Sequence, residues 1–116
     1  MITKKVKLSS CYLRNRGLEK DPRLQKQSTL YKNVLKSIRE QGLINPLTVV
    51  VDGDRYKVCI GSNRYLACKE LGIEEVNVVI SKSEEPKVLQ ETYIYYKKVF
   101  ENDSLFIKWM IKKSFG

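Results

Sequence analysis

Histidine is absent from this 116-residue chain. That removes Ser–His–Asp and Cys–His nucleophile systems, and with them every His-ligated metal site. Cysteine is sparse. Cys11, Cys59 and Cys68 are an odd number at irregular spacing, which makes neither a disulfide framework nor a zinc knuckle. Reduced thiols in a cytoplasmic protein are expected. No apolar run approaches the roughly 18 residues that a membrane helix needs. The opening MITKKVKLSS lacks the apolar core of a secretory signal, so no membrane partner is expected. No internal repeat is present, and Asp52-Gly53-Asp54 is too short for a calcium loop.

Acidic charge is also scarce, but only in the first two-fifths of the chain. Residues 1–45 carry 11 basic and 3 acidic side chains, net +8, whereas residues 46–116 carry 11 and 10, net +1. A block of one sign attracts polyanions such as nucleic acid or nucleotides. A solvated lysine-rich face is the simpler alternative. Arginines inside the block favour a polyanion, and the candidate nucleic-acid contacts are Arg14, Arg16, Arg23, Lys26, Lys32 and Lys36.

Hydrophobic residues make up 42% of the chain and charged residues 30%, so a single folded domain with its own core is expected. Lys5–Ser9 alternates polar and apolar and reads as a first strand. Arg14–Gln27 contains Gly17 and Pro22, shows no period, and reads as a long loop. Ser28 caps a helix whose Leu30, Tyr31, Val34, Leu35 and Ile38 recur at helical spacing, and Gly42 stops it. Pro46–Val51 and Arg55–Ile60 flank the Asp52-Gly53-Asp54 turn and predict a hairpin. After Gly61-Ser62-Asn63-Arg64 a helix runs through Leu71, closed by Gly72, and Val76–Ile80 is a last strand. Helices are expected over 87–100 and 104–114, their aromatics serving as core or as an oligomer face. The fold class is therefore α+β: a small mixed sheet with helices packed on it, then two C-terminal helices. The division expected is residues 1–82 as the domain and 83–116 as a helical extension.

The junction Gly61-Ser62-Asn63-Arg64 carries the most chemistry. A strand ends at Ile60 and a helix starts within two or three residues. A helix start offers unpaired N–H groups and the positive end of a dipole. Glycine lets a ligand approach the main chain, Ser62 can cap the helix or bond a phosphate oxygen, and the Arg64 fork suits phosphate. This is the physics of a phosphate seat. A plain helix cap beside a surface arginine is the competing account.

Leu30–Val51, LYKNVLKSIREQGLINPLTVVV, resembles the helix–Gly–Pro–strand opening of ParB N-terminal domains. YKVCIGSNRYLACKELGIEEVNVVI resembles the stretch that holds their Gly-Glu-Arg-Arg motif, with Gly61, Arg64, Ala67, Leu71 and Gly72 in register. Sulfiredoxins share the scaffold. The resemblance implies a ParB/sulfiredoxin-like fold and a nucleotide, CTP or ATP, with Mg2+ accompanying its phosphates. It places Gly61, Ser62, Asn63 and Arg64 at phosphate, with Gly42, Asn45 and Pro46 nearby. DNA association is implied as well, and a homodimer through the C-terminal helices is a further expectation.

The departures bear on catalysis. Ser62 stands where ParB proteins have glutamate and sulfiredoxins their nucleophilic cysteine. A hydroxyl replaces neither a carboxylate nor a thiolate. A non-catalytic binding module is therefore expected. The alternatives are an ATP- or CTP-dependent phosphotransferase or nuclease drawing on Glu40, Asp52, Asp54 or Glu70, or a protein-interaction module built on the C-terminal helices. Usage rich in Lys, Ile, Asn and Tyr suits an AT-rich genome such as a phage's.

Overall fold

The computed structural model describes residues 2–43 and 45–101. In chain order the elements are β1 (Ile2–Lys7), a 3-10 turn (Leu8–Ser10), β2 (Cys11–Leu13), α1 (Arg16–Lys20), α2 (Arg23–Lys26) and α3 (Thr29–Gln41). β3 (Leu47–Asp52), β4 (Arg55–Ile60), α4 (Ser62–Glu70), β5 (Glu75–Ile80) and α5 (Pro86–Glu101) complete the order. The helix expected over 104–114 lies outside the described residues.

The five strands form one mixed sheet in the order β1-β5-β3-β4-β2. β1 pairs antiparallel with β5, β5 parallel with β3, β3 antiparallel with β4, and β4 parallel with β2. β1 and β2 therefore run in the same direction on opposite edges, joined by three residues. A flat sheet would separate those edges by about 19 Å. The link from Lys7 to Cys11 reaches at most about 14 Å. The sheet must curl, and the N-terminal segment acts as one interrupted strand whose first half bonds β5 and second half bonds β4. The Leu8 N–H to Glu74 O bond of 2.8 Å fixes the crossing point.

Apolar content explains the layers. Leu47, Val49, Val58, Val76 and Val78 from the sheet meet Tyr65, Leu66, Ala67 and Cys68 from α4 and Tyr31 and Ile38 from α3. Four consecutive buried residues make α4 the central helix, enclosed by the sheet and α3. α5 packs along β3, with Leu89 and Thr92 buried there and Thr92 Oγ1 3.4 Å from Ser81 Oγ.

Several boundaries differ from the sequence reading. The first strand starts earlier and ends at Lys7, and β2 has no counterpart among the expected elements. It has only three residues, too few for a visible alternation. The stretch Arg14–Gln27 is not a loop but two single-turn helices. Asn15 Oδ1 accepts the Leu18 N–H and starts the first, and Pro22 precedes the second. Leu30 is 63% exposed, because it lies in the first turn of α3 about 100° from Tyr31. Of the two expectations for the C-terminal aromatics, core or oligomer face, Tyr95 does not meet the first, since it is 53% exposed. Ser28 and Gly42 bound α3 as expected. The Ser28 hydroxyl accepts the Tyr31 N–H at 3.1 Å, and Gly42 has φ +77°.

Candidate functional site: the glycine turn before the central helix

β4 carries one extra residue near its end. Thr48 pairs with Ile60 and Val49 with Val58, so Cys59 is a bulge. A bulge bends the strand and re-aims the residues after it. Gly61 comes next, at φ +106° and ψ 33°, and is the N-cap of α4. A Cβ there would stand 2.9 Å from Leu47 Cδ2 and 3.0 Å from Arg64 Nη2, so only glycine fits.

Because Gly61 is the cap residue, Ser62 is the first helical residue and does not cap. No side chain caps α4 among the described residues. The first intrahelical bond runs from the Tyr65 N–H to Gly61 O at 2.8 Å. The amides of Ser62 and Asn63 precede it, at the end of the helix where N–H groups point away from the intrahelical ladder.

The Arg64 guanidinium folds back over Gly61 and donates from Nη1 to Pro46 O at 2.6 Å. That bond brings the Pro46 segment to the glycine turn. Pro46 is buried, whereas Gly42 and Asn45 are exposed and make no side-chain bond to the turn among the described residues. Asn63 Oδ1 accepts from Gln25 Nε2 at 2.7 Å. Gln25 belongs to α2 and is not among the residues that the sequence pattern singles out. Its only signal there is its place three residues before the Ser28 cap, whose hydroxyl donates to Gln25 O at 2.8 Å.

The candidate nucleic-acid residues do not act as one block. Arg16 pairs with Glu19 at 2.7 Å, Arg23 with Asp21 at 2.8 Å and Lys26 with Glu70 at 3.0 Å. Arg14, Lys32 and Lys36 are exposed and have no carboxylate within ion-pair distance among the described residues. Lys32 and Lys36 lie one turn apart on the outer face of α3.

The acidic residues that an enzyme would draw on are dispersed. Asp52 accepts from the Tyr12 hydroxyl at 2.5 Å, Asp54 sits in the hairpin turn, and Glu40 is near the end of α3. Glu70 ends α4, about 13 Å along the helix from Gly61. The Lys26 ammonium and the Tyr31 hydroxyl hold its carboxyl below the usual range. Burial raises all three thiols, Cys11 and Cys68 to about 11; for Cys59, Arg14 counters part of that effect.

A cavity of about 660 Å³ opens at the sheet's crossing point, lined among others by Lys7, Cys11, Arg55, Tyr65 and Lys69. None of Gly61–Arg64 lines it. Lys7 stands opposite Glu75 in the ladder, and Glu19 and Glu74 also line the cavity, so its charges largely cancel. Concave volume here does not coincide with the glycine turn.

A curled mixed sheet running through a glycine turn into a buried helix is the fold of the ParB/sulfiredoxin superfamily. Within it, the chain belongs to the ParB N-terminal domain family, which matches residues 14–95. The chromosome-partitioning protein Spo0J of Thermus thermophilus is 34% identical over 71 residues, covering 61% of this chain and 26% of that protein. The chain thus spans about a quarter of that relative's length. The C-terminally truncated ParB of Caulobacter crescentus, solved with CTP-γ-S, superposes with TM-score 0.61 at 18% identity over 82% of this chain and 52% of that one. The same protein solved on its centromeric parS site gives 0.55 at 18% identity over 95% and 58%. Sulfiredoxin of Arabidopsis thaliana gives 0.55 at 22% identity over 80% and 98%. At these identities the structural likenesses speak for the fold.

Proposed function

We propose that the chain is a cytoplasmic nucleotide-phosphate-binding, DNA-associated module that does not turn its nucleotide over. The observation that carries this reading is the uncapped start of α4 beside a left-handed glycine, with the Arg64 guanidinium folded over it. Backbone amides at a helix start and an arginine fork are what a polyphosphate requires. Gly61, Ser62, Asn63 and Arg64 would hold phosphate oxygens, with Gly42, Asn45 and Pro46 beside them. CTP is the first candidate, because the Caulobacter neighbour was solved with CTP-γ-S, and ATP is the second. Mg2+ would be held through the phosphates, since Ser62 offers a neutral hydroxyl.

The Caulobacter complex with parS supports an association with DNA. Arg14, Lys32 and Lys36 would carry the phosphate contacts, since Arg16, Arg23 and Lys26 are already paired. Residues 1–82 would form the nucleotide module and 83–116 its extension. Tyr93, Ile94 and Tyr95 of α5 are exposed and would supply a homodimer face. No helix among the described residues is long and apolar enough to cross a membrane.

Thermal denaturation with a panel of nucleotides, with and without Mg2+, tests this. At about 100 times the dissociation constant, a ligand specific for the folded state adds about 2.7 kcal/mol. A panel in which no nucleotide raises the melting temperature contradicts the proposal.

A further inference from the structure

Residues 14–27 cross α4 from its first turn to its last. They touch it through polar side chains at three points. Gln25 donates to Asn63 at 2.7 Å, Glu19 accepts from the Tyr65 hydroxyl at 2.9 Å, and Lys26 pairs with Glu70 at 3.0 Å. Neither α1 nor α2 buries a side chain, and Leu24 of α2 is 83% exposed. The ends, by contrast, are fixed. The Arg14 N–H donates to Val58 O at 3.0 Å, and Ser28 caps α3. The segment is a strap anchored at both ends; between them Leu18 is half-buried against the core and no side chain of α1 or α2 is fully buried.

Segments with few buried apolar contacts open at a small fraction of the global unfolding free energy. The strap carries five basic and two acidic residues, so it is drawn towards negative charge. Gln25 links it to the glycine turn. By donating to Asn63 Oδ1 it holds that side chain in place and leaves its N–H groups available to a ligand.

We propose that residues 14–27 are a gate, which opens as a unit from α4 and is latched by Gln25 on Asn63. The coupling half of this proposal rests on the phosphate reading of the glycine turn. Polyphosphate at the turn draws the basic strap down and holds it shut. With the turn empty, the strap opens and closes independently of the core.

Amide hydrogen exchange on the full chain tests both halves. Without ligand, peptides covering 16–27 exchange at least about tenfold faster than those of α3, because they open locally. Gln25→Ala speeds strap exchange further by roughly two- to twelvefold, the worth of one neutral hydrogen bond, and leaves α3 unchanged. CTP or inorganic triphosphate slows strap exchange in the wild type and less in Gln25→Ala. Equal slowing by triphosphate and CTP assigns the effect to the phosphates; slowing by CTP alone assigns it to the whole nucleotide. Strap and α3 exchanging at one common rate, or no effect of Gln25→Ala, overturns the gate. Ligand binding seen by thermal shift without slower strap exchange overturns the coupling and leaves the phosphate site standing. No binding of either ligand overturns the coupling together with the phosphate site, while the latch is still judged on the ligand-free arms.

Discussion

Arg64 and Pro46 are joined by a hydrogen bond of 2.6 Å between the guanidinium Nη1 and the proline carbonyl. The same guanidinium lies against the bare α-carbon of Gly61. One side chain thus secures the entry to β3 and stands over the turn where α4 begins.

Arg64→Ala should therefore lower stability as well as nucleotide binding. Losing a charge-assisted bond to a carbonyl costs about 1.5–3 kcal/mol. Arg64→Lys should recover part of the stability and little of the binding, because an ammonium lacks the planar fork. Urea melts give the first quantity and nucleotide titrations the second.

Gly61→Ala tests the geometry of the turn. An L-residue at positive φ costs roughly 1–2 kcal/mol, and overpacking adds about 1–3 kcal/mol. Gly53→Ala is the comparison, since it also has positive φ but nothing lies within 4 Å of its added methyl. Melts of the two variants should show Gly61→Ala the less stable by at least about 1 kcal/mol.

Glu70 gives a pH dependence. Its carboxyl is held below its ordinary 4.5, first by Lys26 and then by Tyr31. A carboxyl with a depressed folded-state pKa adds stability above the unfolded value, and that stability is lost as pH falls through the folded one. Both partners are about one-third exposed, so the pair contributes about 0.5–1 kcal/mol. Glu70→Gln should be less stable than wild type at pH 7. The gap should narrow from about pH 4.5 downwards in urea melts taken at each pH.

Binding to DNA should weaken steeply with salt. Each phosphate contact contributes about −0.9 to the slope of log K against log salt. Lys32→Ala and Lys36→Ala should each flatten that slope by about 0.9, and Arg23→Ala should change it less, because Asp21 already engages Arg23. Fluorescence anisotropy over a salt series measures this.

Much of this architecture was legible because local signals agreed. The Ser28 cap, the Gly42 stop and the Asp52-Gly53-Asp54 hairpin each rest on backbone preferences that act within a few residues. The family register was legible for the same reason. The curl of the sheet was not, since it depends on β1 and β2 bonding different partners far along the chain. Nor was the Asn63–Gln25 bond, which joins residues 38 positions apart. The basic N-terminal block looked like one polyanion surface, but three of its six candidates are paired with carboxylates. Composition counts charges without showing which ones are already compensated.

Equilibrium titration of CTP, with Mg2+ present, into the wild type and Arg64→Ala is the most direct measurement. The account predicts one saturable site per chain in the wild type, weakened about tenfold or more by the substitution, as the loss of a charge-assisted bond implies. Heat that never saturates, or an affinity that Arg64→Ala leaves unchanged, would contradict it.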